Sequence, residues 1–149
     1  MGRRRRARTP GAGAKLVDLG NRIHFAGTSD DVGSFIGAAD VLLLTSDTEG
    51  LPGVILEAAA LAVPAVATDV GGVRDAITDG ETGVLADPTD ENALSVALIR
   101  LLANPGERRR LGRAAQQQFG SKFSIETVTR RYADLYHEVL AGKRGRDAD

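Results

Sequence analysis

Two carboxylates, Glu49 and Glu57, bracket the turn Gly50-Leu51-Pro52-Gly53, and they carry the clearest chemistry in the chain. The turn follows an apolar run, Val41-Leu42-Leu43-Leu44, and opens a helical pattern over Pro52 to Ala62. Gly50 and Gly53 remove side chains where a backbone could approach a ligand. The free N–H groups of a helix start, aided by the dipole, favour an anion such as a phosphate. Glu49 stands just before that helix, and on its own reads as a cap at the positive end of the dipole. Glu57 is sharper, because it is the only charged residue between Glu49 and Asp69 and lies within Val-Ile-Leu-Glu-Ala-Ala-Ala-Leu-Ala-Val. An ionised carboxylate in a mostly buried helix is costly unless donors surround it. Vicinal sugar hydroxyls would supply two such donors. The other reading, equal in weight on the residues alone, puts Glu57 on a solvated edge of the helix or against a backbone amide.

The elements that must position these groups alternate. Ile23-His24-Phe25-Ala26 reads as a strand ending at Gly27, with His24 a packing residue in it. Val32 to Ala39 reads as a short helix capped by Asp30 or Asp31. The run Val41 to Leu44 suits a strand buried on both faces. Ala65-Val66-Ala67 and Gly83-Val84-Leu85-Ala86 read as further strands, with a helix near Val73 to Thr78 between them. Asp90 to Leu102 is helical, with Leu94, Ala97, Leu98, Leu101 and Leu102 on one face. A helix then runs from Asn104-Pro105 to about Phe119. A last one starts at Ser124 with the stripe Val128, Tyr132, Leu135, Tyr136 and Val139, as a packing element or an arm toward another domain. Strands alternating with helices through short connections predict a Rossmann-like α/β domain with a mainly parallel sheet, flanking helices and C-terminal helices. Ligands of such sheets sit beyond the carboxyl ends of the strands. The expected organisation is a disordered basic tail over 1–14, one domain over 15–142 and a second tail over 143–149.

Composition narrows the chemistry. The chain has 149 residues, no cysteine and a net charge of −1. Thiolate metal sites and disulfides are thus excluded. His24 and His137 stand far apart, and no Asp-x-Asp pair ends a strand, so no metal is expected. The charge is uneven: residues 1–15 hold six basic residues and no acid, whereas residues 16–99 hold fourteen acids against Arg22 and Arg74. The basic run lacks interleaved aromatics and neighbours Thr9, Pro10, Gly11 and Gly13. It reads as a solvated tail, with no nucleic-acid partner expected. No apolar run approaches the ~20 residues of a transmembrane helix. A cytoplasmic location is therefore the default, and any membrane contact is a peripheral one.

The spacing Glu49-x7-Glu57 followed by Ala58-Ala59-Ala60-Leu61-Ala62-Val63-Pro64-Ala65-Val66-Ala67-Thr68 resembles the signature of family 4 retaining glycosyltransferases of the two-domain GT-B architecture. Ile23-His24-Phe25-Ala26-Gly27, Ala39 to Ser46, Gly71-Gly72 and Asp79 to Leu85 resemble that family's other motifs in order and spacing, over roughly residues 20–140. The resemblance implies the donor-binding C-terminal domain of an enzyme that transfers a sugar from a UDP-, GDP- or ADP-sugar to an acceptor hydroxyl, with no further cofactor. It implies that Glu49 is the catalytic residue beside the donor sugar and that Glu57 binds the ribose. Gly50, Leu51 and Gly53 would hold sugar and diphosphate by their amides, Gly53 serving because Pro52 has no N–H. Gly27 and Thr28 would lie on the base side, and Gly71 and Gly72 near the donor phosphates or sugar.

The family's diphosphate-neutralising arginine and lysine belong to an earlier strand–helix segment, and its acceptor domain is N-terminal. Both are expected to be missing, so a non-catalytic nucleotide-sugar-binding fragment is an alternative, as is a GT-B sugar-nucleotide epimerase. With a strand order 3-2-1-4-5-6, the strands here are the third to sixth. The Ile23 strand must then pair with the Val41 strand directly or remain poorly placed. An exposed sheet edge and marginal stability or oligomerisation follow as expectations.

Overall fold

The computed structural model describes residues 22–90 and 92–144, with side chains to residue 141. The expected tail at 1–14 and the end of the second tail, 145–149, lie outside the described residues. The chain divides into two units, one ending at Val32 and the other running from Gly33.

In the first unit, residues 23–27 do not form a strand. Ile23 and Phe25 are exposed, as is His24, so this segment lacks both the pairing and the packing that its apolar pattern led us to expect. A strand gains its stability from a neighbour's backbone and a covered face. Among the described residues neither is supplied here, which leaves the sequence pattern without effect. Gly27 takes a left-handed φ of 72°, and the Ser29 hydroxyl accepts from the Asp31 amide at 3.0 Å, turning the chain toward helix α1, Val32–Gly37.

The second unit is built on three short parallel strands, β1 Leu42–Leu44, β2 Ala65–Thr68 and β3 Gly83–Ala86, in the order β1-β2-β3. Leu42, Leu43 and Leu44 stand against Ala65, Val66 and Ala67. Ala65 to Thr68 stand in turn against Gly83 to Ala86. This is the adjacency expected of the last three strands of a doubly wound sheet. Helices α2 (Gly53–Ala60) and α3 (Val73–Ala76) are the two crossovers. Ile55, Val73, Ala76 and Ile77 pack on Ala65 and Ala67, with Leu42, Leu44 and Leu85 beside them. Both crossovers therefore cover the same sheet face, as one handedness of connection requires.

The other face is covered by α4 (Ala93–Ala103) and α5 (Pro105–Lys122). Val66 and Val84 meet Ala97, Leu101 and Leu111 there. Asn104 caps α5 by accepting from the Glu107 amide at 3.0 Å, with Pro105 in the first turn. Gly112 of α5 lies against the α2–β2 connection, where a Cβ would come within 2.0 Å of the Ala62 carbonyl oxygen. Gln116 adds a bond to the Ala60 carbonyl at 2.9 Å.

Two expectations change. Among the described residues β1 is an edge strand, and it is not buried on both faces, since Leu43 is exposed. The last helix, α6, spans Ile125–Arg144 and so continues past the expected domain end at 142. Its apolar stripe is exposed at Tyr132, Leu135, Tyr136 and Val139, so it does not act as a packing element along that length. Among the described residues, no helix is long and apolar enough to cross a membrane.

Candidate functional site

The carboxyl ends of β1 and β2 lie side by side, and the loops that follow them are tied together. After β1, Ser46 donates its hydroxyl to Glu49 Oε1 at 2.6 Å. After β2, the buried Thr68 donates its hydroxyl to the Ser46 carbonyl oxygen at 2.6 Å. The Gly72 amide donates to the Glu49 carbonyl oxygen at 3.2 Å. Glu49 is half-buried, and both its carboxylate and its backbone are held by neighbours. It does not cap α2, whose N-terminus at Pro52 has no side-chain cap. The cap reading fails because the Ser46 hydroxyl, three residues earlier, draws the carboxylate back toward β1.

Of the five glycines expected at the site, the four in the second unit fall into two kinds. A Cβ on Gly71 would stand 1.9 Å from the Glu49 carbonyl oxygen, and one on Gly72 2.4 Å from that of Gly50. Gly71 also has a left-handed φ of 51°. These two residues are glycine because the loop after β2 presses on the loop after β1. Gly50 and Gly53 differ: a Cβ on either would meet nothing within 4 Å. They are exposed, like Leu51, and they front open space at the start of an uncapped eight-residue helix.

Glu57 is exposed, on the solvated edge of the helix that was one of its two readings. Helix α2 turns Ile55, Ala58 and Ala59 inward, while Gly53, Glu57 and Leu61, four residues apart, form its solvated stripe. The carboxylate pays no burial cost there and is open to a partner. Gly27 and Thr28 belong to the first unit and are exposed within it.

Charged groups continue along the rim. Asp69 directly follows β2, and its amide donates to the Ala86 carbonyl oxygen at 2.9 Å. Its carboxylate is paired with Arg74 of α3. Beyond β3, the Thr89 hydroxyl and amide both donate to Asp87, which holds that carboxyl below its ordinary range. The supporting roles of Ser46 and Thr68 were not evident from the motif alone. A signal was present for Ser46, since Ser46-x-x-Glu49 has the spacing at which a hydroxyl and a carboxylate meet across one turn.

The model of the family described as Glycosyl transferases group 1 matches residues 11–118. The N-acetyl-alpha-D-glucosaminyl L-malate synthase of Bacillus anthracis is 32% identical over 126 residues, covering 85% of this chain and 33% of that protein. Sucrose-phosphate synthase from Thermosynechococcus elongatus aligns with a TM-score of 0.76 at 33% identity, over 84% of this chain and 32% of that one. Anabaena HepE, solved in complex with UDP-glucose, aligns with a TM-score of 0.73 at 25% identity, over 80% of this chain and 33% of the other. The chain thus spans about a third of the length of these relatives. With a parallel α/β sheet, two interlocked loops at its carboxyl edge and a family match across most of its length, the chain belongs to the group 1 glycosyl transferases.

Proposed function

We propose that this chain forms the nucleotide-sugar-binding part of a retaining, family 4 glycosyltransferase of the GT-B architecture. One observation carries the reading: Glu49 is clamped at the carboxyl edge of the sheet by Ser46 and Gly72, beside the open glycines that start α2. Glu49 is the group beside the donor sugar. The amides of Gly50, Leu51 and Gly53 face the sugar and diphosphate, where the helix dipole favours negative charge. Glu57, exposed on the same helix, accepts from the ribose hydroxyls. Gly71 and Gly72 act on the phosphate region chiefly by holding the Glu49 loop in place.

In the reaction the acceptor oxygen bonds to the anomeric carbon on the face from which the nucleoside diphosphate departs, so configuration is kept. The hydroxyl proton passes to the leaving diphosphate. Most of the rate comes from positioning the partners and from charges aimed at the leaving diphosphate. The Anabaena relative was solved with UDP-glucose, which makes a UDP-sugar the first donor to test, with GDP- and ADP-sugars beside it. No cofactor beyond the donor is needed.

Titration calorimetry with UDP-, GDP- and ADP-glucose tests the donor site. Saturable binding of one of them is expected. Glu57→Ala removes a charged acceptor worth about 1.5–3 kcal/mol per bond, so a loss of roughly tenfold or more in affinity is expected. Absence of binding to all three donors would sink the reading, and unchanged affinity in Glu57→Ala would remove the ribose role.

A further inference from the structure

Between residues 23 and 99 the sequence holds one arginine or lysine, Arg74, among fourteen carboxylates less Asp18. Its position is set by the loops described above. Gly71 and Gly72 are pressed onto the backbone of Glu49 and Gly50, and α3 starts one residue later, with Arg74 as its second residue. The guanidinium is drawn to the carboxyl edge of the sheet by Asp69, the residue that follows β2. Asp69 engages one nitrogen, Nη2, through its Oδ2. The Arg74 side chain is 71% exposed, against 18% for Asp69. One edge of the guanidinium is therefore held while the rest of its planar set of donors faces solvent, an arrangement suited to bidentate capture of phosphate oxygens.

We propose that Arg74 supplies the counter-charge for the diphosphate of the nucleotide ligand, with Asp69 as the residue that orients it. The inference rests on the donor-site reading above. A diphosphate brought to the rim beside Glu49 and Asp69 meets repulsion unless a cation stands with them. Arg74 is the arginine anchored to that rim, through the same glycine pair that locks Glu49. The rigid Gly71–Gly72 contact fixes its Cα, and Asp69 limits its swing, so less freedom is lost when the ligand binds.

Calorimetry on the full chain separates this role from a merely structural one. UDP and uridine are compared in the unaltered chain, Arg74→Ala and Arg74→Lys, with GDP and ADP run against their nucleosides in the same way. Arg74→Ala is expected to weaken the diphosphate about tenfold or more, to leave the nucleoside unchanged and to flatten the dependence on salt. Arg74→Lys keeps the charge without the planar fork and should fall between the two. Equal diphosphate affinity in Arg74→Ala and the unaltered chain overturns the inference while leaving the donor site intact. So does an equal loss of diphosphate and nucleoside, which would mark Arg74 as structural. An unaltered chain that binds none of the nucleotides overturns the donor reading and this inference together.

Discussion

Ser46 and Glu49 show how much one hydroxyl decides at a candidate site. Without the 2.6 Å bond from Ser46, the Glu49 carboxylate would be free to turn toward the uncapped start of α2, four residues on. Ser46→Ala tests this directly. The bond is part-buried and involves a charged acceptor, so its removal should weaken UDP-glucose binding by roughly threefold to tenfold. The melting temperature should hardly move, because Ser46 and Glu49 lie in the rim and not in the core. A full-strength binder would show that Glu49 needs no such hold. Ser46 and Glu49 were legible in the sequence as motif members. Their spacing allowed the bond between them but did not reveal the further holds from Thr68 and Gly72, which arrive from a different strand. Glu57 makes the complementary point. Its apolar neighbours left burial and a solvated edge equally open; a helix against a sheet buries one side only, and Gly53, Glu57 and Leu61, spaced four residues apart, lie on the other.

At the scale of elements, the alternation of apolar runs and helical periodicity located the three strands and the helices within a few residues of where they form. The exception is the segment around Ile23. Its residues favour a strand as strongly as Ala65–Thr68 do, but a strand is a property of pairs, and β2 has a neighbour on each side. Close approach between elements was equally invisible. Nothing in the α5 pattern marks Gly112 as different from Gly106 or Gly120. In the fold, only Gly112 meets a backbone at 2.0 Å, the Ala62 carbonyl, where Ala62 itself is held at a left-handed φ of 58°. Gly112→Ala should therefore destabilise the domain by about 1–3 kcal/mol as α5 is forced off α2. At Gly120, where a Cβ would meet nothing within 4 Å, the same change should be neutral or mildly stabilising through helix propensity. Urea unfolding of the two variants, monitored by circular dichroism, provides the comparison. Equal effects would contradict the close contact.

For the whole molecule, exposed apolar surface is the dominant feature. Leu43 lies on an edge strand, Val96, Ile99 and Leu102 lie on α4, and Tyr132, Leu135, Tyr136, Val139 and Leu140 line α6. Faces of this extent usually mark association. The chain on its own is accordingly expected to self-associate, with a melting temperature that rises with protein concentration. Sedimentation velocity and a dilution series of thermal melts give the measurement. A sharp melt independent of concentration, from a monomer, would refute it.

Composition, periodicity and the Glu49-x7-Glu57 spacing determined by themselves that this is a parallel α/β domain with an anion-suited turn after an apolar strand. Those are local properties, carried by residues near one another along the chain. Tertiary structure alone decided which strands find partners, which face of α2 sees solvent, and that Gly71 and Gly72 are locks for Glu49 while Gly50 and Gly53 front open space. It also brought Arg74 to the acidic rim by pairing it with Asp69. The physical reason is common to all four. Burial, close approach and charge pairing are set by whatever packs opposite a residue, and that neighbour comes from a distant part of the chain.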